Sequence, residues 1–259
     1  MAGKDDYYNR AKQEGYRARS AYKLQQLDEA AGLLGAGRTV VDLGAAPGGW
    51  LQVAAERVGS DGFVLGVDRQ RIDPVSGVEA AVETLRGDVT DEETVAAVRE
   101  AVPGEGDVDV VLSDMAPNMS GDYDLDHARS VHLARQALGV ALEVLGPGGD
   151  LAVKVFDGRD LADLEADVDA EFEYVRQVRP EASRDASSEL YLVAKGRLTG
   201  PVREGDRLEV DIEDAGDQGD GIARVEGYTL FVSGVEVGDT VTVRVDDVKP
   251  TYGFAQPLE

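Results

Sequence analysis

The feature that most constrains this chain is an alternation of element types that begins at Thr39 and ends at Lys195. Short apolar runs at residues 39–43, 63–68, 82–88, 108–114, 150–156, 174–179 and 190–195 read as strands, and residues 49–58, 92–102, 126–145 and 160–170 read as helices between them. Strands separated by helices form a mostly parallel, doubly wound α/β sheet. Ligands on such a sheet bind beyond the carboxyl ends of its strands. Three of the expected strands end in Asp68, Asp88 and Asp114, so carboxylates should line that edge.

After Lys195 the pattern changes. Residues 196–205 contain Gly200, Pro201 and Gly205 and read as a linker, and from Asp206 onward short alternating runs such as 208–212 and 241–245 are separated by glycine turns. No helical period survives, which points to a small, OB-like β-barrel. The expected division is residues 1–198 for the α/β domain with a basic leading segment and residues 199–259 for the barrel.

The chain carries 51 acidic against 26 basic residues, a formal charge of −25, and no cysteine. Disulfides, thiolate metal sites and a cysteine nucleophile are therefore excluded, and a reducing, cytoplasmic setting is expected. No apolar run approaches the roughly 20 residues of a spanning helix. The basic residues are 20 arginines and only six lysines (Lys4, Lys12, Lys23, Lys154, Lys195, Lys249), and the acids are spread along the whole chain. That texture reads as adaptation to high salt. Residues 1–25 are the exception: six cations against three acids give +3 where the remainder carries −28, and Tyr7, Tyr8, Tyr16 and Tyr22 are interleaved with them. Cations and aromatic rings together grip RNA phosphates and unstacked bases.

The chemistry concentrates at residues 42–50, Asp-Leu-Gly-Ala-Ala-Pro-Gly-Gly-Trp, which follow the first strand and open a helix. Glycines there allow close backbone approach to a ligand, and the helix N-terminus offers free N–H groups. The spacing is not the dinucleotide G-x-G-x-x-G. It is similar to the loop that cradles S-adenosylmethionine in methyltransferases. Asp68 is placed for the ribose hydroxyls and Asp88 for the adenine amino group, while Asp114 opens an Asp-x-x-Pro segment that resembles motifs of amino methylation. Lys154, flanked by apolar strand residues, is costly to bury unless paired or deprotonated.

From Tyr16 to Gly196 the chain resembles the FtsJ/RlmE family of ribosomal RNA 2′-O-ribose methyltransferases, in residues 17–24, 42–50, 113–118, 154–156 and 187–191. The resemblance implies a Rossmann-like, seven-stranded S-adenosylmethionine-dependent fold and a catalytic tetrad of Lys23, Asp114, Lys154 and Glu189. In it Lys154 is the proton acceptor, oriented by Asp114 and Glu189, and Lys23 also holds a substrate phosphate. It implies cofactor contacts at Gly48, Trp50, Asp68, Asp88 and Asp114. Residues 219–224 and 237–241 resemble a TRAM domain, a small RNA-binding barrel whose presence points to an archaeal form. The implied activity is uridine 2′-O-methylation of 23S (large-subunit) rRNA, on free RNA or on the assembled subunit, by a monomer needing neither membrane nor metal. A tRNA 2′-O-methyltransferase and a catalytically idle RNA-binding assembly factor remain as alternatives.

Other conspicuous residues are given plainer roles. His127 and His132 do not share a helix face well, and Asp122, Asp124 and Asp126 lack a full calcium-loop pattern. Tyr228, Phe231, Tyr252 and Phe254 fit base stacking and a barrel core equally.

Overall fold

The strand Thr39–Leu43 (β1) is buried on both faces, with Val40, Val41 and Leu43 fully inaccessible, and it is an interior strand of the larger sheet. In the computed structural model, residues 6–104, 107–183, 187–216 and 219–258 are described, and Lys4 and Asp5 of the basic segment lie outside them. Two helices come first, α1 (Asp6–Glu14) and α2 (Ala21–Ala31), then β1, α3 (Gly49–Val58), β2 (Phe63–Asp68), β3 (Ala81–Arg86), α4 (Glu92–Ala101) and β4 (Val108–Ser113). The domain continues with α5 (Tyr123–Val144), β5 (Leu145–Phe156), α6 (Leu161–Asp169), β6 (Phe172–Val178) and β7 (Glu189–Arg197).

The seven strands are ordered β3-β2-β1-β4-β5-β7-β6. From β3 to β5 they pair in parallel, whereas β7 is inserted between β5 and β6 and runs antiparallel to both. Alternate residues supply two cores. Val41, Leu43, Leu65 and Val67 pack with α4, α5 and α6, while Val40, Val64, Val110, Leu112 and Tyr191 pack with α2 and α3. Covering both faces is why the strands read as continuous apolar runs.

Some boundaries differ from the sequence expectation. β3 ends at Arg86, so Asp88 lies in the turn leading to α4, and β4 ends at Ser113, leaving Asp114 just past the strand. α5 begins at Tyr123, earlier than expected, because the Asp122 carboxylate accepts the Leu125 N–H at 3.1 Å and caps the helix. β5 starts at Leu145 and absorbs a register shift between Val108 and Val110 of its neighbour.

The second sheet has the order β8 (Arg207–Asp211), β12 (Thr240–Val248), β13 (Tyr252–Pro257), β11 (Tyr228–Val232), β10 (Gly221–Val225), β9 (Asp214–Ala215). β8 and β9 stand at opposite ends of that order, yet only Ile212 and Glu213 separate them along the chain. The Glu213 N–H donates to Ile222 O at 2.8 Å, so the sheet closes on itself as a barrel. Its core includes Ala223, Leu230, Val232, Val243 and Val245, and Leu198 and Val202 of the linker are buried with them. The barrel meets the amino-terminal edge of the larger sheet. Lys249 Nζ lies 2.8 Å from Glu173 Oε1, and a side chain at Gly148 or Gly196 would touch Pro250.

The same edge holds Asp150, 2% exposed, whose carboxylate takes Arg38 at 2.9 Å, Lys195 at 2.6 Å and the Gly196 N–H at 3.3 Å. Removing one partner of a buried ion pair leaves uncompensated charge. Asp150→Ala is expected to lower the unfolding free energy by about 3 kcal/mol in denaturant titration, an effect that added salt barely screens.

Candidate active site

Asp114 is the first residue beyond β4, and its carboxylate is the centre of a buried polar cluster. Oδ1 accepts from Lys154 Nζ at 2.9 Å and from the Tyr191 hydroxyl at 2.6 Å, and Lys23 Nζ lies 3.9 Å away. Lys154 Nζ also donates to the Asp114 carbonyl at 2.5 Å. Lys23, on α2, pairs with Glu189 at 2.6 Å, and the Ser183 hydroxyl donates to the same carboxylate oxygen at 2.8 Å. Lys154 is 7% exposed. Burial alone would raise the Asp114 carboxyl, but Lys154, then Lys23 and the Tyr191 hydroxyl, outweigh it and hold the acid below its ordinary value. Burial, followed by Asp114 and Glu189, pushes the Tyr191 phenol well up, so Tyr191 is a neutral donor.

Topology explains the gathering. Lys154 lies opposite Tyr191, and Phe156 opposite Glu189, in the antiparallel β5–β7 register. Because β7 runs against β5, its beginning reaches the carboxyl edge where β4 and β5 end. The four residues expected to form a tetrad therefore share one cluster, with one difference of detail. Glu189 pairs with Lys23, and it is Asp114 that contacts Lys154.

Beside this cluster lies a cradle. Gly44 (φ +78°) and Gly48 (φ +104°) adopt left-handed backbone that glycine favours. A Cβ at Gly44 would strike Met115 Cγ at 2.5 Å, so glycine there lets the segment after β4 cross the segment after β1. Gly48 caps α3, whose first N–H groups are free to meet a ligand. Asp68 Oδ2 accepts the Ala46 N–H at 3.0 Å and Oδ1 accepts the Gln70 N–H at 2.7 Å, which leaves further lone pairs on both oxygens. The Thr90 N–H and hydroxyl hold Asp88 below its usual value. The Trp50 ring is buried, donates to Ser20 O at 2.7 Å and packs against Tyr191, so what Trp50 can offer a ligand is its backbone.

One acid of this region was not singled out by sequence. Asp42, on β1, is 1% exposed, and neither carboxylate oxygen has a hydrogen-bond partner. Burial, then Asp114 and Asp68, raise it well above the carboxylate range. An acid inside an otherwise apolar buried strand was the available signal. An orphaned carboxyl flanked by two more acids fits a positively charged ligand.

The basic leading segment is engaged internally. Arg17 donates to Pro47 O at 3.2 Å and to the carbonyls of Asp73 and Pro74, both at 2.5 Å, joining the glycine loop to the segment after β2. Tyr22 is buried, meets the Tyr7 ring at a tilt and the Tyr16 ring edge-on, at 5.4 and 5.8 Å, and carries Arg10 over its ring at 4.8 Å. The Tyr16 hydroxyl bonds to Glu56 at 2.7 Å. Of the four interleaved tyrosines, Tyr8 is the exposed one.

Both His127 nitrogens are occupied, Nδ1 by Phe156 O at 2.9 Å and Nε2 by the Asp160 N–H at 3.2 Å, whereas His132 faces solvent. Asp126 accepts from Ser120 and Gly121 and so holds the segment that follows Asp114.

Residues 16–197 match the FtsJ-like methyltransferase family and residues 201–258 match the TRAM domain. A Haloarcula marismortui protein named ribosomal RNA large subunit methyltransferase E is 70% identical over the full length of both chains. Proteins of the same name from Natronomonas pharaonis and Methanosarcina mazei are 66% and 49% identical, covering 100% and 99% of this chain and 100% and 93% of theirs. A solved Plasmodium falciparum structure, described as a ribosomal RNA methyltransferase, superposes with a TM-score of 0.60 at 25% identity, covering 70% of this chain and 98% of that one. The chain belongs to the FtsJ-like methyltransferase family and carries a C-terminal TRAM domain.

Proposed function

We propose that this chain transfers a methyl group from S-adenosylmethionine to the ribose 2′-hydroxyl of a uridine in 23S (large-subunit) rRNA. The observation that carries the reading is the Lys23–Glu189 and Lys154–Asp114 pairs meeting at one carboxylate in a chain with only six lysines. The relatives' shared name supports the RNA substrate. The cradle supports the cofactor: Gly48 and the α3 N-terminus suit its carboxylate, Asp68 its ribose and Asp88 its adenine amino group. Asp42 is the buried acid available to its positive charge. S-adenosylmethionine supplies an electrophilic methyl group on a sulfonium centre.

The chain's own work is to orient the acceptor and take one proton. Lys154 Nζ accepts the 2′-hydroxyl proton as the oxygen attacks, which requires that amine to be neutral at that moment. The Asp114 carboxylate and carbonyl fix its position. Tyr191 braces Asp114, and Glu189 braces Lys23, whose ammonium holds a substrate phosphate. Alignment supplies much of the acceleration in such a transfer. The scarcity of lysine and the dispersed acids support work in a salt-rich cytoplasm, where the Debye length falls to about 3 Å at 1 M.

In a strain lacking the gene, Lys154→Ala is expected not to restore the one 2′-O-methyluridine that the wild-type chain restores to large-subunit rRNA, read by nucleoside mass spectrometry. The purified variant should lose about 10²- to 10⁴-fold in rate while binding cofactor almost normally. Full restoration would overturn the base assignment, and methylation found in tRNA would move the substrate. Asp68→Ala is expected to weaken cofactor binding about 10- to 100-fold by calorimetry, the loss of a hydrogen bond to a charged group.

Asp42→Asn should raise thermal stability in the absence of cofactor. Since folding raises the Asp42 pKa, its contribution is complete below the unfolded value near pH 4 and declines as pH rises toward the folded one. The variant should therefore match the wild type near pH 4 and exceed it increasingly as the pH rises above that. A difference independent of pH would contradict this.

A further inference from the structure

Arg17 belongs to the basic leading segment, whose cations composition alone assigns to RNA phosphates. Its surroundings assign it elsewhere. Its backbone N–H donates to Gln52 Oε1 at 2.8 Å, the Gln52 amide donates back to Gly15 O at 3.0 Å, and the Tyr16 hydroxyl reaches Glu56 at 2.7 Å. Residues 15–17 are therefore seated on α3, the helix that the glycine loop opens. From that seat the half-buried side chain crosses the loop. Its guanidinium lies so near Gly48 that a Cβ there would meet Nη1 at 2.7 Å.

What the guanidinium holds is the segment after β2. Nη1 donates to the Asp73 carbonyl and Nη2 to that of Pro74, both at 2.5 Å, while Nη1 also reaches Pro47 O at 3.2 Å. Residues 71–79 form no helix or strand, and among the described residues the hydrogen bonds that tie their main chain to the rest of the fold are the two from Arg17. Ile72 is buried with the α3 core, so apolar packing fixes one side of the segment and a single guanidinium fixes the other. The segment begins shortly after Asp68, the acid placed for the cofactor's ribose, and Arg17 binds it to the loop that suits the cofactor's carboxylate. Three of the five guanidinium donors are committed to carbonyl oxygens of these two loops.

We propose that Arg17 is a positioning residue for the cofactor, a strap that holds the segment after β2 against the glycine loop, and that it does not grip RNA. This rests on the proposed S-adenosylmethionine donor. A cradle whose loops are already tied loses little conformational freedom when it is filled, whereas a loose segment must be ordered at the expense of affinity. A planar fork can serve carbonyls of two loops at once, which a lysine ammonium does less well.

The test uses the full-length chain, calorimetry with S-adenosylmethionine, and anisotropy of a labelled single-stranded oligouridylate titrated across salt. Arg17→Ala is expected to weaken cofactor binding about 10-fold, the cost of ordering the segment on binding. Arg17→Lys should fall close to the alanine variant. Arg10→Ala, which removes an exposed cation of the same leading segment, should bind cofactor as the wild type does. In turnover, Arg17→Ala should raise the KM for cofactor and keep kcat, the pattern of lost ground-state binding. Its RNA affinity and salt dependence should equal those of the wild type, which also reports an intact fold. Unchanged cofactor affinity in Arg17→Ala overturns the proposal. So does a loss of RNA affinity with a shallower salt dependence that Arg17→Lys restores, since a phosphate contact behaves in that way. A wild-type chain that binds no S-adenosylmethionine overturns the proposed donor and this inference together, whereas equal binding by wild type and Arg17→Ala overturns this inference alone.

Discussion

One carboxylate oxygen, Asp114 Oδ1, accepts from an ammonium on β5 and a phenol on β7, with a second ammonium from α2 at 3.9 Å. Three groups converging on one acceptor in a desolvated place are held far more rigidly than any pair on a solvated surface. The rest of the domain can be understood as what brings them there. β4 delivers the acid just past its end, β5 the lysine two residues before its own end, and the reversed β7 the phenol. α2 arrives with Lys23 because its apolar side packs under the sheet with α3.

The two halves of the site are also joined mechanically. Trp50 connects α3 to Ser20 on one side and to Tyr191 on the other, so the cradle and the polar cluster share one buried wall. Arg17 closes the outside of the cradle by holding two loops through three carbonyl oxygens. Asp42 sits beneath with no partner, a local cost in stability of the kind found where a site is prepared for a ligand.

Much of this was legible in the sequence, and the exceptions have physical reasons. The elements could be read because both faces of the sheet are covered, which makes the strands apolar throughout. The lysines could be read because so few exist in the chain. The exact ends of β3 and β4 could not, since Asp88 and Asp114 read equally well as the last residue of a strand or the first beyond it. Tyr191 was given no role of its own because its partner is fixed only by the insertion of β7. Arg17 and the tyrosines of the leading segment have a composition suited to RNA, but composition cannot say whether a ring stacks on a base or on another ring. The four barrel aromatics were undecided for the same reason, and the register separates Tyr228 from the other three.

The antiparallel placement of β7 has a consequence for how the molecule comes into being. Residues 42–68, which hold the glycine loop and Asp68, leave the ribosome early, and their strands neighbour one another in the sheet. The polar cluster instead joins α2 to β7, and Arg19 reaches Ala182 across 163 residues of chain. Contacts of that span form only after their loop-closure entropy is met. A growing chain thus holds the elements of the glycine cradle well before it can complete the polar cluster. The cluster is complete only when the last strand of the domain arrives, and a chain that stops before β7 lacks both Tyr191 and Glu189.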